Sequence, residues 1–85
     1  MYESAVKIKN EIGLHARPAS LFIQEAIKFS SNIDVIKNEK VYNGKSIMSV
    51  LSMSAGKDEE IIIRANGEDE EEAVKSLVNL VENKL

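Results

Sequence analysis

The chain contains no cysteine, and it has only one histidine and one proline in 85 residues. The lack of cysteine excludes disulfides, thiolate nucleophiles and thiolate metal sites. A single histidine excludes a metal site built from several imidazoles of one chain. We therefore expect no metal site, we expect no cofactor, and any imidazole chemistry must use that one residue.

Long apolar runs are also absent, since none approaches the roughly 20 residues that cross a bilayer. The N-terminus lacks the apolar core of a signal peptide, so we expect a cytoplasmic protein that does not insert into membranes. The net charge of −3, without a basic stripe, argues against nucleic acid as a direct partner. With 44% apolar residues, the composition predicts one soluble domain over residues 1–85, and we expect a monomer.

Hydrophobic periodicity divides the chain into seven elements. Alternation and β-branched runs predict strands, and apolar residues at helical spacing predict helices. The predicted strands cover residues 2–9, 33–36, 40–42 and 60–65, and the predicted helices cover residues 16–28, 45–53 and the chain from the acidic run 68–72 to the C-terminus. This βαββαβα order predicts an α+β fold with helices on one side of a sheet, and it leaves the order of the strands open.

The segment Gly13–Ala19 contains both the histidine and the proline. Pro18 precedes an apolar-periodic run and is typical of the first turn of a helix, which places His15 where that helix begins. Free N–H groups and the helix dipole favour an anion there, and Arg17 adds a fixed charge suited to phosphate oxygens. A neutral imidazole is nucleophilic, so this pattern predicts a site that accepts a phosphoryl group.

Structural explanations exist for the same residues. A lone histidine at the start of a helix is often a surface or capping residue, and Arg17 is of a type that is commonly solvated. Ser46 stands just before an apolar-periodic segment, which is typical of a helix N-cap. Apolar residues at helical spacing, such as Ile47 and Leu51, ordinarily pack into a core.

The segment Gly13–Ala19, together with Lys45-Ser46-Ile47-Met48 about thirty residues later, resembles the HPr family of histidine-containing phosphocarriers in the bacterial phosphoenolpyruvate:sugar phosphotransferase system. The likeness covers essentially the whole chain. It implies an open-faced β-sandwich in which three helices cover one face of a four-stranded antiparallel sheet. It also implies a carrier rather than an enzyme with a substrate of its own.

The resemblance implies that His15 accepts a phosphoryl group on its δ nitrogen from phosphorylated Enzyme I, with Arg17 stabilising the phosphate, and passes it to sugar-specific IIA domains. It implies that Ser46 is phosphorylated by an HPr kinase/phosphorylase. Phosphorylated Ser46 would slow the phosphorylation of His15 and favour a catabolite-control transcription factor. The residues implied in partner docking are Ala16, Ser20, Gln24, Ile47, Met48 and Leu51.

Three residues depart from the family pattern. Ile12 stands where many relatives carry a small polar residue, and Ser49 and Ser54 replace glycines that are usual in the branch with the kinase site. The main alternative is an HPr-like regulatory protein that acts through Ser46 and partner binding. A carrier of a nitrogen-related branch fits the Lys45-Ser46 match less well, and an enzyme is disfavoured because no paired carboxylates or glycine-rich phosphate loop are found.

Overall fold

The structure is a computed structural model that describes residues 1–85, and it has the predicted element order. The elements are β1 (Tyr2–Lys7), α1 (Ala16–Ala26), β2 (Asn32–Lys37), β3 (Lys40–Asn43), α2 (Ile47–Ser52), β4 (Glu60–Asn66) and α3 (Glu70–Asn83). The α+β class and the order βαββαβα are therefore confirmed.

The four strands form one antiparallel sheet in the order β1-β4-β2-β3. β4 lies inside the sheet between β1 and β2, which agrees with its run of isoleucines, because branched side chains fit a pleated surface. Along β4, Ile61 and Ile63 are buried, whereas Ile62 and Arg64 are only half-buried. The alternation shows that one face of the sheet is covered and the other is open.

The three helices cover the buried face. α3 packs on β1 and β4, and α1 packs against both α2 and α3. Phe22 of α1 and Leu77 of α3 are fully buried between the layers. This is the open-faced sandwich that the family resemblance implies. No helix combines the length and the apolar character needed to cross a bilayer.

The connection between β2 and β3 is the two-residue turn Asn38-Glu39. Both residues have positive φ, 51° and 67°, as a hairpin turn of type I′ requires. The turn places Ile36 opposite Val41 across the strands. The predicted hairpin is confirmed, and each strand is slightly longer than predicted.

The first helix ends two residues earlier than predicted. After Ala26 the backbone tightens, because Lys28 and Phe29 donate to carbonyls three residues back. Phe29 still packs against the core, as its place in the predicted apolar stripe requires. The tightened turn brings Ser30 and Ser31 under the start of α3.

The acidic run Glu68–Glu72 is predicted from the sequence only to place negative charge at the positive end of the dipole of α3, and one of its residues has a second role. Glu70, Glu71 and Glu72 occupy the first turn of α3, as predicted. Asp69, however, accepts hydrogen bonds from the backbone N–H groups of Ser30 and Ser31 at 2.9 and 3.0 Å, and from the Ser31 hydroxyl. It therefore joins the loop after α1 to the start of α3.

The same hydrogen bonds lower the pKa of Asp69 from 3.8 to about 2, with the Ser31 hydroxyl as the largest cause. A carboxyl whose pKa is lower in the folded than in the unfolded chain stabilises the fold at pH values above the unfolded-chain pKa. This contribution is lost as the pH falls through the pKa of the folded chain. We expect Asp69→Ala to unfold several degrees below the wild type at pH 7. The difference should shrink toward pH 2, as thermal unfolding monitored by circular dichroism will measure. A difference independent of pH would contradict this account.

Candidate functional site

His15 occupies the N-cap position of α1, with extended backbone angles of φ −122° and ψ 159°. His15 is exposed, and its side chain makes no capping hydrogen bond. The histidine thus lies at the start of the helix, as predicted, and is open to solvent.

The loop before His15 is held firmly in place. Leu14 is fully buried, and its N–H donates to the carbonyl of Ala55 at 2.9 Å. Gly13 has φ +67°, and a Cβ at this position would lie 2.3 Å from the same carbonyl oxygen. Only glycine fits this backbone, because it tolerates positive φ and leaves room for the approach. The buried Leu14 then fixes the exposed neighbour His15.

The residue after His15 adopts an unusual backbone conformation. Ala16 has φ 47°, in the left-handed region, which costs an L-residue about 1–2 kcal/mol. The chain bends there because Leu14 is anchored on one side, while Pro18 and Ala19 are buried on the other. This bend is the feature of the site that sequence reasoning missed, since alanine carries no signal for positive φ.

The bend leaves anion-binding groups free. The N–H groups of Ala16 and Arg17 have no backbone acceptor, and Pro18 has no N–H. Arg17 is exposed and forms no ion pair. One nucleophilic side chain, two free amides and one unpaired guanidinium therefore occupy three consecutive residues. This arrangement suits the acceptance of a phosphoryl group.

Ser46 is the N-cap of α2, as predicted. Its hydroxyl accepts from the N–H of Ser49 at 3.3 Å. Lys45 is held beside it, because its ammonium group donates to the carbonyl of Phe29 at 2.6 Å. Ser46 is half-buried, so its hydroxyl is tied to the helix while one side of the residue still meets solvent.

Two of the departures from the family pattern have structural consequences. The hydroxyl of Ser49 accepts from the N–H of Asn43 at 2.9 Å and so links α2 to the end of β3, a bond that glycine could not make. Ser54 has φ 53°, a conformation that favours glycine and is strained for serine. The third departure, Ile12, is 55% exposed beside the histidine loop.

The residues assigned to docking lie on α1 and α2, which pack against each other. On α1, Ser20 and Gln24 are exposed and joined by a hydrogen bond of 3.2 Å. On α2, Met48 is 73% exposed and Ile47 38%, although apolar residues of a short helix ordinarily pack inward. Leu51 is half-buried against the core. Ala16 is exposed next to His15.

The site is not a pocket. The two surface depressions of the molecule are lined by other residues, one between β1 and α3 and one at the open face of the sheet near Glu60. No group of three or more histidine, cysteine, aspartate or glutamate side chains is arranged to hold a metal ion. His15 thus lies on the open surface and lines neither depression.

Comparison with known proteins identifies the family. A family model described as the phosphorylation site of the phosphotransferase-system HPr component matches residues 2–83. The chain belongs to the HPr family. HPr proteins are phosphocarriers, and the match includes both the histidine segment and the Ser46 segment.

Individual HPr relatives align over most of the chain. The phosphocarrier protein HPr of Mycoplasma capricolum is 50% identical over 70 residues, 82% of this chain and 79% of that protein. The HPr-like protein Crh of Halalkalibacterium halodurans is 43% identical over 82 residues, 96% and 98% of the two chains. A crystal structure of HPr from Thermoanaerobacter tengcongensis superposes with a TM-score of 0.93 at 51% identity, covering 95% and 91% of the two chains. Both HPr and Crh are thus among the relatives, so similarity alone does not separate these two roles.

Proposed function

We propose that this protein carries phosphoryl groups in a phosphoenolpyruvate:sugar phosphotransferase system, in the cytoplasm. His15 accepts the group from phosphorylated Enzyme I and passes it to sugar-specific IIA domains. The observation that carries the proposal is the exposed His15 at the start of α1, beside two free amides and the unpaired Arg17. The family match supports the same role.

The transfer exchanges one P–N bond for another. The lone pair of the His15 δ nitrogen attacks the phosphorus of the donor phosphohistidine, whose P–N bond breaks. The electron pair of that bond returns to the donor imidazole, which takes up one proton, while the ε nitrogen of His15 releases one, so that the exchange is balanced. The phosphoryl group adds a charge of about −1.5 to −2, and Arg17 and the free amides at Ala16 and Arg17 stabilise it. The second transfer repeats these steps toward a IIA domain.

Transfer between two proteins needs a surface that both partners recognise. The exposed apolar residues Ile47 and Met48 of α2 supply contact area, and the half-buried Leu51 of the same helix packs against the core below them. Ser20 and Gln24 form a polar rim on α1. A flexible methionine side chain adapts to partners of different shape, which suits a carrier that binds both Enzyme I and IIA domains.

The proposal is tested with phosphoenolpyruvate and Enzyme I in solution. We expect one phosphate per chain, labile in acid and stable in base, as for a P–N bond. Addition of a IIA domain should discharge it. A chain that stays unmodified with active Enzyme I would contradict the proposal.

We also propose that Ser46 regulates this transfer, through an ATP-dependent HPr kinase/phosphorylase. A phosphate at Ser46 would meet the start of α2, where negative charge is tolerated, and the domain need not refold. It would place a double negative charge beside the docking residues Ile47 and Met48 and repel an acidic partner. Phosphorylated Ser46 would then favour a catabolite-control transcription factor.

A substitution tests the regulatory role of Ser46 without the kinase. We expect Ser46→Asp to slow phosphorylation of His15 by Enzyme I by about tenfold relative to Ser46→Ala, because the carboxylate lies in the docking surface. Ser52→Asp adds the same charge at the other end of α2 and should have less than half that effect. Initial rates at limiting Enzyme I are the measurement. Equal rates for Ser46→Asp and Ser46→Ala would count against regulation through docking.

The second candidate is an HPr-like regulatory protein that acts through Ser46 and partner binding. The similarity to Crh of Halalkalibacterium halodurans favours it. The presence of His15 favours the carrier, because a protein without transfer duties has no physical need for that residue. Complementation of sugar uptake in a strain that lacks its own carrier discriminates between the two: growth supports the carrier, and lack of growth with a stable chain supports the regulator.

A further inference from the structure

The open face of the sheet carries an apolar row that crosses all four strands. Ala5 of β1 pairs with Ile62 of β4, Ile62 with Ile36 of β2, and Ile36 with Val41 of β3. Val41 is 52% exposed, Ala5 is exposed, and the two isoleucines are half-buried. No helix covers this row, since all three helices pack on the opposite face.

Charged rows flank the apolar row on both sides. On one side Glu3, Arg64, Asp34 and Asn43 follow one another across β1, β4, β2 and β3, with an ion pair of 3.1 Å between Arg64 and Asp34. On the other side Lys7 pairs with Glu60, and the Asn38-Glu39 turn ends the hairpin at the same level. Lys7 and Glu39 stand at opposite edges of the face, about three strand spacings or 14 Å apart.

We propose that a second copy of this chain covers the open face, forming a symmetric dimer. A twofold axis parallel to the strands, between β4 and β2, places β1 over β3 of the other copy and β4 over β2. Each row of residues across the four strands then faces the same row of the other copy, with the order of the strands reversed. The dimer is closed, because the same surface serves both copies.

Charge complementarity favours this occupant over an unrelated protein. In the reversed rows, Arg64 of one copy lies over Asp34 of the other, so the existing ion pairs join into one alternating cluster. Lys7 lies over Glu39 of the other copy. No position places like charges opposite each other, and such a juxtaposition is the usual cost of a wrong pairing.

The apolar row is complementary to itself in the same arrangement. Ile62 lies over Ile36 of the other copy, and Val41 lies over Ala5, so large and small side chains alternate at the edges. Sheets packed face to face keep their strand directions within about 30°, which the parallel axis satisfies. His15 belongs to the helix layer on the other side of the molecule and stays free for transfer.

The size of the face predicts a weak dimer. Four strands of about six residues cover roughly 400 Å² per copy, about half of a standard interface. We therefore expect monomers in dilute solution and a monomer–dimer equilibrium with a dissociation constant of roughly 0.1–1 mM, tighter at low salt. On this proposal the expected monomer is the form of the chain at low concentration.

Sedimentation equilibrium of the full chain tests the apolar row. Val41→Lys introduces a charge into the row and should weaken the dimer at least about tenfold. Ile27→Lys is the matched control, because Ile27 is 61% exposed at the end of α1, away from the open face. It should leave the dissociation constant unchanged. Thermal unfolding of both variants establishes that they are folded.

A charge exchange tests the arrangement itself. Lys7→Glu and Glu39→Lys should each weaken the dimer several-fold, and the double variant should recover at least half of that loss, because Lys7 and Glu39 meet only between copies. A wild-type chain that stays monomeric at about 1 mM protein and low salt would overturn the proposal. So would equal effects of Val41→Lys and Ile27→Lys, or a double variant no stronger than the single ones. Phosphorylation of His15 by Enzyme I is independent of all these outcomes, so failure of the dimer leaves the carrier function standing.

Discussion

His15→Ala will carry no acid-labile phosphate after incubation with phosphoenolpyruvate and Enzyme I. The substitution removes the only imidazole of the chain, and no cysteine is present to replace it as a nucleophile. The serine hydroxyls are poor nucleophiles without an adjacent base, and a phosphoserine would be stable in acid. We therefore expect complete loss of the acid-labile product, measured by its release at low pH and by mass spectrometry.

The fold of His15→Ala should be intact, so that the loss reports chemistry alone. His15 is exposed and its side chain makes no hydrogen bond in the chain, and such substitutions ordinarily change the free energy of unfolding by less than about 0.5 kcal/mol. Lys28→Ala changes another exposed side chain, just beyond the opposite end of α1, and is the control that should be phosphorylated at the wild-type rate. An acid-labile phosphate on His15→Ala would refute the assignment of the acceptor.

Gly13→Ala will lower the free energy of unfolding by about 3 kcal/mol. Two costs add at this position. The φ of +67° is unfavourable for any residue with a Cβ, and that Cβ would lie 2.3 Å from the carbonyl oxygen of Ala55 and 2.7 Å from the Cα of Gly56. Because both contacts are backbone, the loops cannot separate without breaking the hydrogen bond from Leu14 to Ala55.

Urea denaturation measures this loss, and Gly56→Ala is the control in the facing loop. A Cβ on Gly56 would meet only the carboxylate of Glu59, at an ordinary 3.5 Å, so we expect less than about 1 kcal/mol. Gly13→Ala should also slow phosphorylation, because the displaced loop carries His15. A stability within about 1 kcal/mol of the wild type would show that the two loops can move apart at little cost.

Much of the architecture could be predicted from the sequence. The alternation from Tyr2 to Ile8 predicts β1, and the spacing of Ala19, Phe22 and Ala26 predicts the buried face of α1. Pro18 and Ser46 mark the starts of two helices. Proline fits a first turn, where its missing N–H would have no partner, and serine accepts a hydrogen bond from a free N–H of the first turn. These signals depend on neighbours within one or two turns, so they can be read along the chain.

Contacts between distant segments could not be predicted in this way. Asp69 belongs to an acidic run that suits the start of a helix, but its hydrogen bonds reach Ser30 and Ser31, 39 and 38 residues away. The left-handed angle of Ala16 arises because anchored segments on both sides leave no other path. Neither feature has a signature in the residue types themselves.

The sequence alone determined which segments form strands and helices, and that one histidine stands where a helix begins, because periodicity and capping act over a few residues. Only the tertiary structure decided the strand order β1-β4-β2-β3, the free amides beside His15 and the exposure of Met48. Those features depend on which faces meet when the layers pack. Packing is a property of surfaces that lie far apart along the chain.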